Sequence, residues 1–101
     1  MLYIRMVRFE WDEKKNQSNL LKHGVDFETA QSIFDDPNCV TFVERIHDGE
    51  PRWHAIGRVE GLILLVAVHT YREDGPDEVI RIISARQATR HERKLYEATQ
   101  R

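Results

Sequence analysis

The run LILLVAV, from Leu62 to Val68, is the longest apolar stretch of this chain. It lacks the alternation of a strand with one solvated face, so it predicts a central strand buried on both faces. It is far shorter than the roughly 20 apolar residues that span a bilayer. In a chain of 101 residues, such a strand predicts a single domain built around one modest core.

The residues before this run predict one strand and two helices. Val7, Phe9 and Trp11 alternate with other residues in a short first strand, and Trp11 is expected in the core. Two helices should follow, the second of them short and with one apolar face. Their predicted boundaries are the capping residues Asp12 and Asp26, the helix terminator Gly24 and the helix breaker Pro37.

From position 40 onward the sequence predicts a series of strands. The segments VTFVER, RWHAIGRVE, LILLVAVHTY and EVIRIIS are separated by the turn-rich stretches IHDGEP and REDGPD and by a tight connection at Glu60-Gly61. Short loops between successive strands predict an antiparallel meander. The expected faces of the second segment are Trp53, Ala55, Gly57 and Val59 on one side and Arg52, His54, Ile56 and Arg58 on the other.

The chain is expected to end in a helix. Thr89 followed by Glu92 is a capping-box pattern that places the helix start near Arg90, while Ser84 and Gln87 offer a competing start. The predicted order is therefore strand, two helices, four strands and a helix. This is an α+β fold, in which a small antiparallel sheet of about five strands is flanked by helices.

Composition restricts where such a domain would work. Apolar residues make up 41% of the chain and charged residues 32%, which is typical of a globular domain. The single cysteine, Cys39, excludes an internal disulfide and is interpreted as a small buried apolar residue. Since the N-terminal residues do not match a signal peptide, we expect a cytoplasmic protein.

Charge is distributed unevenly along the chain. Residues 79–101 carry six Lys/Arg and two Asp/Glu, whereas residues 1–78 carry nine and fifteen. The basic end predicts an anionic ligand at one face, and the acidic remainder a basic partner elsewhere. Considered alone, the same charges also fit an ordinary solvated helix face.

Motifs for metal, thiol or nucleotide chemistry are missing from the sequence, which has no HExxH, paired CxxC, GxSxG or Gly-rich phosphate loop. We therefore expect neither a metal nor a cofactor. Arginines within strands are costly unless they meet solvent, a carboxylate or a ligand. Arg58 and Arg81 are such residues, and Glu44 or Glu78 are the alternative carboxylate partners.

The arginines near the end of the chain predict a phosphate site. Arg81, Arg86 and Arg90 are expected to converge on one edge of the sheet, where guanidinium groups bind phosphate oxygens through paired hydrogen bonds. His23 is a candidate for proton transfer. The alternative is that Lys22 and His23 only stabilise the C-terminus of their helix.

Three longer stretches carry a family resemblance. They are FEWDEKKNQSNLLKHGVDFETAQSIFDDP, RWHAIGR and IRIISARQATRHERKLYE, and they extend over residues 9–97. Together they resemble the BrnT family of toxins from bacterial type II toxin–antitoxin systems. Members of that family usually begin just before FEWD, so residues 1–6 are expected to be an N-terminal extension of a single domain over residues 1–101.

The resemblance implies a RelE-like fold and a ribonuclease that arrests growth by cutting RNA and suppressing translation. Such nucleases need no metal, because the 2′-hydroxyl attacks the adjacent phosphate and leaves a cyclic phosphate. It also implies a cognate BrnA-type antitoxin, whose dimer would assemble two toxins and two antitoxins. Operator DNA would be contacted only through the antitoxin.

The resemblance also assigns roles to residues of this chain. Arg58 and Arg81 would stabilise the charge on phosphorus, and Lys22 and His23 would transfer protons. The expected RNA-binding residues are Arg86, Arg90, His54 and Tyr96.

Some of these roles have alternatives. His54 competes with His23 for proton transfer because it shares a strand face with Arg58, and Tyr96 either stacks on a base or packs the last helix on the sheet. The protein could also be a non-catalytic nucleic-acid-binding module, or an inactive toxin relative acting in operon autoregulation. Phosphate binding and phosphate cleavage use the same cations, so residue types alone do not separate these functions.

Overall fold

The computed structural model describes residues 6–60 and 63–100. Within them the chain forms the predicted α+β fold, with helices flanking a mostly antiparallel sheet. In chain order the elements are β1 (Val7–Glu10), α1 (Glu13–His23), α2 (Phe27–Gln31), a 3₁₀ helix (Ser32–Asp35), β2 (Val40–His47), β3 (Glu50–Val59), β4 (Ile63–Asp74), β5 (Asp77–Gln87) and α3 (Arg90–Ala98). Apart from Met6, the predicted N-terminal extension lies outside the described residues, as does Gly61 of the predicted tight connection.

The strands lie in the order β1-β5-β4-β3-β2, with β4 at the centre. Strands β2 to β5 form the predicted antiparallel meander. By contrast, β1 pairs with β5 in parallel, with Val7 opposite Glu78 and Glu10 opposite Arg81. The prediction of a wholly antiparallel sheet was wrong for β1, because short loops fix the direction only of strands that follow one another, and two helices separate β1 from β2.

Side-chain hydrogen bonds set the predicted helix ends. Asp12 accepts from the backbone N–H of Lys14 at 2.9 Å at the start of α1, and Gly24 ends that helix with a φ of 73°. Asp26 accepts from the backbone N–H of Thr29 at 2.6 Å at the start of α2. These boundaries are confirmed, since capping depends on residues within one helical turn.

The start of α3 is also confirmed. Thr89 accepts from the backbone N–H of Glu92 at 3.2 Å, and the Glu92 carboxylate accepts from the backbone N–H of Thr89 at 2.8 Å. The competing helix start was wrong, because Ser84 and Gln87 both lie in β5. There they continue the ladder with β4, and that pairing holds the backbone extended.

The alternation predicted for β3 divides the sheet into two faces, which we call the α1 face and the α3 face after the helix on each. The α1-face core consists of Ala55, Leu65, Ala67, Ile82 and Ala85 beneath Val25, Phe27, Ala30 and Ile33. The α3-face core consists of Ile56, Leu64, Val66 and Ala88 beneath Tyr96. Because β4 contributes to both cores, the predicted central strand is confirmed. Trp11 and Cys39 pack half-buried against the α1-face core.

A polar side chain of α1 completes the edge of β5. In the described structure, pairing of β1 with β5 ends at Arg81, before β5 reaches Ala85. The buried Asn19 continues that edge, since its amide donates to the carbonyl oxygen of Ala85 at 2.7 Å and its oxygen accepts from the N–H of Ala85 at 3.1 Å. Asn19 also donates to the carbonyl oxygen of Val25 at 2.9 Å. One amide therefore joins α1, the α1–α2 loop and β5.

A glycine of β3 allows the 3₁₀ helix to approach the sheet closely. A Cβ atom at Gly57 would lie 2.7 Å from Cβ of Ile33 and 2.8 Å from its carbonyl oxygen. Real Cβ atoms essentially never approach other atoms so closely. The contact places Asp36, which follows the 3₁₀ helix, beside Arg58, which follows Gly57.

A histidine is fully buried on the α1 face. Nδ1 of His69 donates to the carbonyl oxygen of Ala67 at 3.1 Å, and its ring packs edge-on against Phe34 and Tyr71. Within the described structure, Nε2 is buried without a hydrogen-bond partner. Burial lowers the pKa of His69 to about 4, because an apolar environment disfavours the imidazolium ion.

This histidine predicts an acid-sensitive fold. Its pKa is about 4 in the folded protein and about 6.5 in an unfolded chain, so protonation below pH 6.5 favours the unfolded state. The free energy of unfolding should fall by about 3 kcal/mol as the pH drops from about 6.5 to 4. Urea unfolding at a series of pH values measures this change. The variant His69→Leu should lose most of this pH dependence. An equal pH dependence of the free energy of unfolding in the variant and the parent would contradict the assignment to His69.

Candidate active site

Three side chains from different elements meet near the end of β3. The guanidinium carbon of Arg58 lies 5.4 Å from the ring centroid of Tyr96 on α3. Tyr96 donates its hydroxyl hydrogen to Oδ2 of Asp36 at 2.7 Å, and the backbone N–H of Arg58 donates to the same oxygen at 2.8 Å. One carboxylate thus fixes the positions of an arginine and a tyrosine relative to each other.

A second cluster lies beneath the first turn of α3. Nη1 and Nη2 of Arg86 donate to the two carboxylate oxygens of Glu92 at 2.6 and 2.9 Å. Nδ1 of His54 lies 3.9 Å from Oε2 of Glu92, and the ring of Phe42 packs against the imidazole at a centroid distance of 5.5 Å. Glu92 therefore holds an arginine close to a histidine, in addition to capping α3.

These surroundings set the protonation states of the second cluster. Burial lowers the pKa of His54, and the charges of Arg86 and Arg45 lower it further against the opposing effect of Glu44 and Glu92. Its imidazole is therefore neutral at pH 7 and able to accept a proton. Hydrogen bonds from Arg86 lower the pKa of Glu92 to about 2, so this carboxylate remains charged.

The first cluster has a protonated phenol beside a charged carboxylate. Burial raises the pKa of Tyr96, the hydrogen bond to Asp36 raises it further, and Arg58 opposes this. Burial also acts to raise the pKa of Asp36, but hydrogen bonds from Tyr96 and two backbone N–H groups lower it overall. Tyr96 is only 1% exposed. Its ring therefore packs α3 on the sheet, which is one of the two roles predicted for it.

The structure places four of the predicted site residues on the α3 face, namely Arg58, Arg86, His54 and Tyr96. Arg90 is exposed as the first residue of α3. Arg81 lies about 16 Å from Arg86 along the extended strand and forms an ion pair with Glu10 at 3.6 Å. The predicted convergence of Arg81 with Arg86 and Arg90 was therefore wrong, because a strand moves apart residues that are close in sequence.

Two further predicted residues lie on the other side of the sheet. Lys22 and His23 are exposed in the last turn of α1, whose buried Asn19 bonds to the α1-face residue Ala85. Arg58 instead contacts Tyr96 on the α3 face. The described structure therefore does not bring Lys22 or His23 together with Arg58. Their role in proton transfer stays a prediction.

The open cleft beside Arg58 is acidic. Its volume is about 530 Å³ and its lining is Thr29, Ser32, Asp35, Asp36, Pro37, Arg58, Val59 and Glu60. Three of these side chains are carboxylates, which repel phosphate groups. This cleft is therefore poorly suited to a phosphate-containing ligand.

Two residues of the site were not predicted as such from the sequence. The sequence pattern assigned no role to Asp36, and it predicted Glu92 only as part of a capping box. The partners of Asp36 are 22 and 60 positions away in sequence, so local patterns contain no signal for its role. The Arg86–Glu92 pair spans a strand end and a helix start, which local patterns also do not reveal.

The fold and the site define a class of protein. A small α+β domain with arginine, histidine and tyrosine side chains on one sheet face is suited to a phosphate-containing ligand. None of the helices in residues 6–60 and 63–100 is long and apolar enough to cross a membrane. The same residues contain no group of three or more His, Cys, Asp or Glu side chains that could hold a metal ion.

Comparisons with known proteins identify a family within this class. The structure is similar to the crystal structure of the Brucella abortus ribonuclease toxin BrnT, with a TM-score of 0.60 and 29% identity over 84% of this chain and 99% of that chain. The family model for the ribonuclease toxin BrnT of type II toxin–antitoxin systems matches residues 11–92. A comparison with curated proteins gives no match. The chain therefore belongs to the BrnT family of ribonuclease toxins, and the resemblance in its sequence is confirmed.

Proposed function

We propose that this toxin cuts RNA without a metal ion, by attack of a 2′-hydroxyl on the adjacent phosphate. Membership of a ribonuclease toxin family supports RNA as the substrate. The observation that carries the mechanism is the neutral, half-buried His54 on a sheet face that also presents Arg58 and Arg86. These groups provide a base and two cations, which are the components that the reaction needs.

In the proposed reaction the 2′-oxygen forms a bond to phosphorus and the bond from phosphorus to the 5′-oxygen breaks. The products are a 2′,3′-cyclic phosphate and a 5′-hydroxyl. His54 accepts the proton of the 2′-hydroxyl, and the charge of the nearby Glu92 carboxylate favours the imidazolium that forms. The protonated imidazole can then return a proton to the leaving 5′-oxygen. Arg58 and Arg86 stabilise the negative charge on the phosphate oxygens. Arg81, Lys22 and His23 stay predictions for the same reaction.

The proposed partner is a BrnA-type antitoxin. Membership of a type II toxin–antitoxin family implies an antitoxin as partner, and a dimeric antitoxin would assemble a complex of two toxins and two antitoxins. Operator DNA would be bound by the antitoxin, and the complex would act in the cytoplasm. The alternative function, a non-catalytic nucleic-acid-binding module, needs the same arginines but not a neutral histidine.

The mechanism predicts a large loss of activity when the base is removed. Purified toxin, free of antitoxin, should cut single-stranded RNA in excess EDTA and leave a 2′,3′-cyclic phosphate. His54→Gln should lower the cleavage rate by about 10²- to 10⁴-fold, and Arg58→Ala by about 10²- to 10³-fold. Cleavage rates and end-group analysis of the products measure both effects.

The matched control is His91→Gln, because His91 is exposed on α3. This variant should cut RNA at the rate of the parent. Folded parent protein that binds RNA but does not cut it would favour the binding module. Full activity of His54→Gln would remove His54 as the base and leave Lys22 and His23 as the remaining candidates for proton transfer.

A further inference from the structure

Two arginines face each other at the edge of the α3 face. Arg45 of β2 lies directly opposite Arg52 of β3 in the strand pairing. Arg52 alternates with Trp53, whose ring packs against Tyr71, so Arg52 points to the opposite side of the strand from that aromatic pair. His54 lies two residues further along β3 and points to the same side as Arg52. The charge of Arg45 lowers the pKa of His54.

A β-bulge creates this pairing. The register shifts between Val43 and Arg45, because Val43 pairs with Trp53 while Arg45 pairs with Arg52. A regular ladder would have placed Glu44 opposite Arg52, where the two could form an ion pair. The bulge instead places two like charges opposite each other, which is destabilising in a sheet. Bulges commonly redirect a side chain beside a functional site.

In the part of the chain that the structure describes, Arg52 has a buried donor without an acceptor, and Arg45 has only an exposed ion pair. Within the described structure, Nε of Arg52 is buried without a hydrogen-bond partner. Arg45 lies 3.5 Å from its own neighbour Glu44, and both of these side chains are largely exposed. A buried guanidinium N–H without an acceptor is costly, and an anion bound between the arginines would remove that cost.

The arginine pair continues the proposed active site. His54 lies about 7 Å from Arg52 along β3, and the strand carrying Arg86 is about 10 Å from β3, since β4 lies between them. We propose that Arg45 and Arg52 bind an RNA phosphate next to the one that is cut. This inference rests on the proposed function. Guanidinium groups suit the task because they bind phosphate oxygens through paired hydrogen bonds.

RNA binding by the double variant Arg45→Gln/Arg52→Gln tests the inference. The probe is a fluorescent single-stranded RNA whose 2′-hydroxyl groups are methylated. Because methylation blocks the proposed attack, binding is measured without cleavage. The double variant should bind this RNA at least about tenfold more weakly. The slope of log K against log salt concentration should be shallower by about 0.7, because the contact with one phosphate is lost.

The matched control removes the same charge elsewhere. Lys14 and Lys15 are exposed in the first turn of α1, and Lys14→Gln/Lys15→Gln should retain most of the parent affinity and salt dependence. Arg52→Lys separates charge from hydrogen bonding. It should keep the salt dependence and lose part of the affinity, because an ammonium group cannot form the paired hydrogen bonds.

A stability measurement distinguishes binding from a structural role. If the arginines are held against their own repulsion, Arg45→Gln should raise the melting temperature of the free toxin by a small amount while weakening RNA binding. A structural role predicts a lower melting temperature. Unchanged RNA affinity and salt dependence in the folded double variant would overturn the inference, whether or not the parent cuts RNA.

Other outcomes keep the two proposals apart. RNA binding that depends on the arginines, with no cleavage by the parent, would leave the phosphate site in place and refute the nuclease mechanism. Unchanged RNA binding together with lost binding of the antitoxin would assign the arginine pair to an acidic segment of the antitoxin, which also overturns the RNA assignment.

Discussion

Replacing Asn19 with alanine is expected to lower the free energy of unfolding by about 3 kcal/mol or more. The substitution removes three hydrogen bonds, two to the backbone of Ala85 and one to the carbonyl oxygen of Val25. It also leaves these backbone groups unsatisfied in a buried position, and each such group costs about 1–3 kcal/mol. Urea unfolding followed by circular dichroism measures the loss.

The neighbouring Ser18→Ala is the control for this experiment. Ser18 is exposed on the same helix, so its replacement should change stability by less than about 0.5 kcal/mol. A loss below about 1 kcal/mol for Asn19→Ala would mean that water replaces the amide at the edge of β5. The edge would then not depend on this side chain.

Gly57→Ala is expected to have the second large effect, on both stability and activity. The new Cβ would overlap Cβ and the carbonyl oxygen of Ile33, and overpacking of this kind typically costs about 1–3 kcal/mol. Because the other colliding atom belongs to the backbone, the 3₁₀ helix must move away from β3. Asp36 would move with it and release Arg58 and Tyr96, so RNA cleavage by the folded fraction should also fall.

Gly75→Ala separates the steric effect from a backbone effect. Nothing lies within 4 Å of a Cβ at Gly75, whose φ is +60°, so this change should cost only about 1 kcal/mol and leave activity unchanged. Thermal unfolding and cleavage assays on both variants measure the difference. Equal stability losses in the two variants would show that the close approach at Ile33 relaxes without cost.

The features that the sequence predicts correctly depend on near neighbours. The caps at Asp12 and Asp26, the capping box of α3 and the alternation along β3 each involve residues within one helical turn or along one strand. Local geometry alone determines these features, and tertiary packing did not override them. The buried character of β4 was equally readable, because its apolar run is continuous.

Features that depend on the pairing of distant segments were not predictable. Glu10 pairs with Arg81 because β1 lies parallel to β5, whereas the sequence offered Glu44 or Glu78 as partners. A mid-helix asparagine such as Asn19 is usually solvated, and its sequence neighbours give no indication that it completes a sheet edge. The bulge at Glu44 changes which side chain opposes Arg52, and short apolar patterns do not locate such insertions.

The position of Asp36 has a consequence for how the domain opens. Its carboxylate binds Tyr96 of α3 and the backbone of β3, while its own segment packs on the other face of the sheet. Detaching α3 would therefore strip a charged carboxylate of its phenol partner as well as expose apolar surface. The two helical layers are in this way parts of one cooperative unit, in which neither layer can fray without loosening the other.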